Sequence, residues 1–148
     1  MLVFVSDLHL TDESFAPAIP LQRLIERVDG ILQQGAARGV TGATLVLLGD
    51  IFEIIKSPKW LAKDNLRPWQ SPTDAHRERV TEIYTSILDA NKSFERWLQQ
   101  LPTRFPFLSL RYIPGNHDLA ISSCAVTRTS SNTCRCRREA RVWGDHSI

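Results

Sequence analysis

Cysteine is missing from the first 120 residues of this 148-residue chain: Cys124, Cys134 and Cys136 all lie near the C-terminus. A disulfide scaffold is thereby excluded for the main body. No apolar run approaches the roughly 20 residues of a membrane span. The apolar opening, Met1 to Val5, also lacks the basic flank and small-residue cleavage site of a secretory signal, so a cytoplasmic location is expected. Leu119 is the last leucine, and residues 121–148 contain no lysine. There is no internal repeat. Neither sign of charge dominates the body: residues 1–120 carry 13 Lys+Arg against 14 Asp+Glu, while residues 121–148 carry five Arg against Glu139 and Asp145. The net charge of +2 is therefore a property of the tail, and nucleic acid is not an expected partner.

What is present is ordinary globular composition, 43% hydrophobic and 23% charged. A chain of this length can form one domain that buries about two-thirds of its unfolded surface. Leu2 to Val5 is a continuous apolar run, the pattern of a strand buried on both faces. Leu21, Leu24, Ile25, Val28, Ile31 and Leu32 then fall at helical spacing, before Gly35, Gly39 and Gly42. A second strand is expected from Ala43 to Leu48. Residues 54–72, with Pro58, Pro68 and Pro72, read as a long connection. It ends at Ser71-Pro72-Thr73-Asp74, which resembles a capping box with proline at the first helical position. One long helix should follow, its stripe running from Val80 through Ile83, Ile87, Asn91 and Phe94 to Leu101, closed by Pro102 and Pro106. Phe107 to Ile113 supplies a third strand. The order β-α-β-insertion-α-β favours an α/β fold with helices packed on a sheet.

Each strand is followed by polar, chemically capable residues: Asp7-Leu8-His9, then Gly49-Asp50 with Glu53, then Gly115-Asn116-His117-Asp118. Ligands of open α/β sheets bind beyond the carboxyl ends of the strands, so the three loops are expected on one edge. Asp7 and His9, one residue apart, point the same way from an extended segment and can grip one ion. Asp50 can place an oxygen on each of two ions, and Gly49 lets the backbone approach closely. Asn116 offers a neutral oxygen. His117, next to Asp118, suits a group that protonates a leaving oxygen. Taken singly, each motif also reads as turn chemistry; the three in order, each closing an apolar strand, read as a site.

These residues resemble the calcineurin-like metallophosphoesterases over about residues 1–120. The resemblance implies a β-sandwich flanked by helices and a dinuclear centre of Mn, Fe or Zn. Residue by residue, it implies that Asp7 and His9 bind the first ion, Asp50 bridges, and Asn116 binds the second. His117 would stabilise the transition state or protonate the leaving group, with Asp118 supporting it. The implied reaction is attack of a metal-bound hydroxide on phosphorus in a phosphorylated small-molecule or nucleotide-type substrate. Gly49-Asp50-Ile51-Phe52-Glu53-Ile54 departs from the G-D-x-x-D-R-G of protein serine/threonine phosphatases, which argues against that branch. The Ser6–Leu10 opening is similar to bacterial UDP-diacylglucosamine pyrophosphohydrolases, although those typically carry arginine where this chain has His117.

The family's later isolated histidine and G-H-x-H motif have no counterpart: after His117 only His146 remains. The alternative expectation is therefore a truncated or frameshifted, non-catalytic fragment that binds metal weakly and exposes an apolar sheet face. Residues 121–148 are then a disordered, out-of-frame tail; the spacing of Cys124, Cys134 and Cys136 with His146 does not form paired C-x-x-C knuckles. Trp60 and Trp69, with Lys56, Lys59 and Arg67, are expected to pack within their loop or to form a substrate-facing cap. His76 is expected on the surface and Trp97 in the core.

Overall fold

The computed structural model describes residues 1–12, 20–62 and 65–126, the last four of these by their backbone alone. The three apolar runs form β1 (Leu2–Val5), β2 (Ala43–Leu48) and β3 (Leu108–Ile113). They pair in parallel in the order β1-β2-β3, with Leu2 opposite Thr44 and Ala43 opposite Leu108. Parallel pairing follows from the long helical crossovers, because a tight hairpin cannot return the chain in the same direction.

The first crossover contains α1 (Leu21–Ala37). The second contains α2 (Asp74–Ala90) and α3 (Lys92–Arg104), and α4 (Leu119–Val126) follows β3. Both crossovers step in the same direction across the sheet, so right-handed connections place their helices on one side. One hydrophobic cluster accordingly joins Val3, Val5, Leu45, Leu47 and Leu108 to Val28 and Leu32 of α1, Ile83 and Ile87 of α2, and Phe94 and Leu101 of α3. The opposite face has no such cover among the described residues. Leu2 is 65% and Phe4 59% exposed there, with Leu48 and Ile113 also exposed. The expectation that β1 is buried on both faces is thus corrected: its alternation is exposed-buried-exposed-buried. The described residues form a single three-stranded parallel sheet with helices, an α/β fold.

The expected single long helix is two helices. At Asn91 the side-chain Nδ2 donates to the carbonyl of Ile87 at 2.8 Å and to that of Thr11 at 2.8 Å. The amide competes for a carbonyl the helix itself uses, and it ties the break to the chain beyond β1. Pro102 lies inside α3, which runs on to Arg104. The N-cap of α2 is Thr73 rather than Ser71, its Oγ1 accepting the His76 N–H at 3.2 Å. His76, expected at the surface, is buried. It precedes Val80 by one helical turn and so continues the buried stripe, under the Trp60 ring at 5.1 Å.

Trp97 is in the core, as expected, and its Nε1 donates to Asp29 at 2.9 Å. Trp60 packs within its loop, donating to the Ile54 carbonyl at 2.7 Å, whereas Trp69 is 78% exposed. The boundary drawn after residue 120 falls inside α4, which packs Ala120 and Ile121 partly against the core. Cys134, Cys136, His146 and residues 127–148 generally lie outside the described residues.

Candidate functional site

Three parallel strands bring their carboxyl ends to one edge, and the loops beyond them are stitched together by their backbones. The N–H groups of Asp7, His9 and Leu10 donate to the carbonyls of Gly49, Asp50 and Ile51 at 3.2, 2.9 and 2.9 Å. Glu53 N–H returns to the Leu10 carbonyl at 2.9 Å, and Gly49 N–H donates to Ile113 at 2.7 Å. The alternation of side chains sets the orientation: Leu8, Leu10 and Ile51 enter the core, leaving Asp7, His9 and Asp50 toward the rim.

That arrangement strains the backbone. Asp7, His9 and Asp50 have φ of 55°, 47° and 52°, and Asn65 is the other non-glycine described with positive φ. Left-handed backbone at a non-glycine residue costs on the order of 1 kcal/mol or more and persists where surroundings enforce it, commonly at functional sites. Asp7 and His9 therefore do not extend from a regular strand, as the one-residue spacing predicts; alternate left-handed residues turn them to the same side. The ligand atoms of Asp7, His9 and Asp50 lie within 4.8 Å of one another.

Two glycines permit this approach. Gly49 has φ of 71°, and a Cβ there would meet the Cα of Gly115 at 3.3 Å. At Gly115 a Cβ would fall 2.6 Å from the Asp50 amide nitrogen and collide with its carboxylate. The His117 N–H donates to Asp50 Oδ1 at 3.0 Å. Asn116 is exposed between these two neighbours of Asp50.

Glu53 organises the imidazoles. It is 3% exposed, and its two oxygens meet His9 Nδ1 at 2.9 Å and His117 Nδ1 at 2.8 Å. The two rings stand edge to face with centroids 4.7 Å apart. Lys56 adds its ammonium at 3.2 Å from Oε2 and its backbone N–H at 3.2 Å from Oε1. Burial works to raise the Glu53 carboxyl, but hydrogen bonds from His117 and Lys56 and the charge of His117 prevail and hold it below its ordinary range. His9, Glu53 and His117 also form a second group that could hold an ion. In that group, however, the carboxylate is already engaged by two rings and an ammonium.

Asp118, expected beside His117 as its support, turns inward. It is completely buried, with Oδ1 accepting from Gly115 N–H at 2.6 Å and Oδ2 from Ile51 N–H at 2.9 Å. The carboxylate that meets His117 is Glu53. Behind this clamp, burial pushes the Tyr112 hydroxyl above its ordinary range, reinforced by the Asp118 carboxylate.

From its motif alone Glu53 has no assigned role, and Lys56 is one of several cations in the connection after β2. The signal for Glu53 was its position: one charge inside Ile51-Phe52-Glu53-Ile54-Ile55 must be buried, and a buried carboxylate needs partners.

The donor set of Asp7, His9 and Asp50 mixes carboxylate oxygen and imidazole nitrogen, which fits one first-row divalent ion. The other group of potential ligands among the described residues, His9, Glu53 and His117, shares His9 with this one. No helix among the described residues is long and apolar enough to cross a membrane. Comparison of the chain with protein-family models, curated proteins and solved structures finds no match.

Proposed function

We propose that the chain carries the site of a metal-dependent phosphoester hydrolase of the calcineurin-like type, acting on a phosphorylated small molecule or nucleotide-type substrate. One observation carries this reading: the three residues proposed as ligands, Asp7, His9 and Asp50, all hold left-handed backbone and bring their ligand atoms within 4.8 Å of one another. Asp7, His9 and Asp50 would hold the first ion, with Asp50 and Asn116 offered to the second. The exposed sheet face bearing Leu2 and Phe4 is where the second sheet of the implied sandwich would pack. When bound, first-row ions supply Lewis acidity toward phosphoryl oxygens and activate water.

The protein's own groups do the rest. A proton held at Nδ1 of His9 by Glu53 leaves Nε2 as the basic nitrogen, the usual relation between a ligand histidine and its supporting carboxylate. The same carboxylate fixes the ring plane of His117 through Nδ1, so that the Nε2 of its imidazolium form would deliver the proton to the leaving oxygen. Asp118 ties the turn that carries His117 to the Ile51 backbone beside Asp50.

A second reading, a non-catalytic fragment that binds one ion weakly, is favoured by the sparse donor set for a second ion. Hydrolysis of p-nitrophenyl phosphate and bis(p-nitrophenyl) phosphate with Mn, Fe or Zn separates the two. Metal-dependent turnover that is lost in Asp50→Ala and His117→Ala supports the hydrolase. A folded circular-dichroism spectrum without turnover on any of the three metals supports the fragment.

A further inference from the structure

We propose that Lys56 contacts substrate: its ammonium, resting on Glu53 in the free site, moves to a non-bridging oxygen of the phosphoryl group and favours dianionic monoesters over monoanionic diesters. This rests on the phosphoester reading above and names the substrate class for the same site.

The base of Lys56 is anchored. Its N–H is held by Glu53 Oε1, Ile54 beneath it is fully buried with its carbonyl bound by Trp60 Nε1 at 2.7 Å, and Ser57 Oγ donates to Asp12 at 2.9 Å. Its end lies in solvent, for the side chain is 58% exposed even with the ammonium on Glu53. Anchored backbone with a solvated ammonium at the rim is the arrangement of a reaching cation rather than of a buried ion pair. Departure of the ammonium also leaves Glu53 paired, because both imidazoles remain on its oxygens.

The neighbouring cations are committed elsewhere. Lys59 pairs with Glu82 at 2.9 Å, and Arg67 donates to the carbonyls of Trp60 and Leu66 at 3.3 and 2.8 Å. Lys56 is thus the described loop cation whose partner belongs to the site. The rim otherwise presents the carboxylates Asp7 and Asp50, which repel an approaching phosphoryl group. A lysine ammonium acts on phosphate as a point charge, and its attraction for a dianion is about twice that for a monoanion at equal distance.

The test uses the full chain loaded with Mn at pH 8, as wild type, Lys56→Ala and Lys56→Arg. Inorganic phosphate is titrated calorimetrically, and steady-state kinetics are measured on p-nitrophenyl phosphate and its bis ester. Expected in Lys56→Ala are a phosphate Kd and a monoester KM raised about tenfold, a diester KM raised about threefold, and kcat nearly unchanged. Lys56→Arg should restore part of the phosphate affinity. Phosphate affinity that is equal in wild type and Lys56→Ala, or wild type that binds no phosphate, overturns the inference and leaves Lys56 as an exposed ion pair. Phosphate binding that depends on Lys56 without hydrolysis of either ester, with Mn, Fe or Zn, upholds the contact while the hydrolase reading fails.

Discussion

Replacing Asp118 with alanine should cost stability before it costs chemistry. The carboxylate joins the β2 and β3 loops through Ile51 N–H at 2.9 Å and Gly115 N–H at 2.6 Å, with Phe52 N–H at 3.4 Å as a weaker third. A hydrogen bond to a charged group contributes about 1.5–3 kcal/mol, and a stranded buried donor costs a similar amount. Two strong bonds therefore set the loss at about 3–6 kcal/mol, a large share of the roughly 5–15 kcal/mol typical of whole domains. With a urea slope of about 1–3 kcal/mol per molar, the unfolding midpoint should fall by about 2 M. Asp118→Asn keeps one carbonyl oxygen but turns its amide hydrogens toward the other loop's N–H, so a loss of about 2–4 kcal/mol is expected. Urea titrations followed by far-ultraviolet circular dichroism at pH 7 measure both, with turnover assayed well below each transition. A loss under about 1 kcal/mol in Asp118→Ala refutes the clamp. Intact stability with abolished turnover would return Asp118 to a direct role beside His117.

Glu53→Gln should weaken Mn binding by about 10–100-fold in a calorimetric titration, the usual effect of removing a carboxylate behind a ligand histidine; unchanged affinity would deny Glu53 that role. The same variant tests acid stability. Because the folded Glu53 carboxyl sits below its ordinary value of 4.5, its contribution is present above that pH and is lost as pH falls through the lower folded value. Wild type should therefore lose more stability than Glu53→Gln on acidification below about pH 5, and parallel pH curves would contradict the shift. Gly115→Ala places a Cβ against Asp50 and should cost about 1–3 kcal/mol together with most of the metal affinity; wild-type metal binding would show that Asp50 can move aside. His76→Phe fills the place of a buried ring whose two nitrogens have no protein partner, so it should raise stability by about 1 kcal/mol in a thermal melt. Destabilisation would mean that the imidazole nitrogens are satisfied in solution.

Much of this molecule is local in origin. The apolar runs at Leu2–Val5, Ala43–Leu48 and Phe107–Ile113 contain their own strand signal, and the spacing of Leu21 to Leu32 its own helix, because burial periodicity is a property of neighbouring residues. Parallel strands then require that the loops bearing Asp7, His9, Asp50, Asn116 and His117 share one edge, so their nearness follows from the sequence pattern. Tertiary structure decided the rest. Asn91 splits the helix because Thr11, 80 positions away in the chain, presents it a carbonyl. His76 is buried because Trp60 arrives over it, and β1 has an open face because both crossovers pass on the same side of the sheet. The partners of His117 and Asp118 were decided in the same way. Sequence adjacency suggested that the two belong together, but a side chain bonds to whatever the fold brings within about 3 Å. For His117 that is Glu53, from the loop after β2, and for Asp118 it is the backbone of two loops.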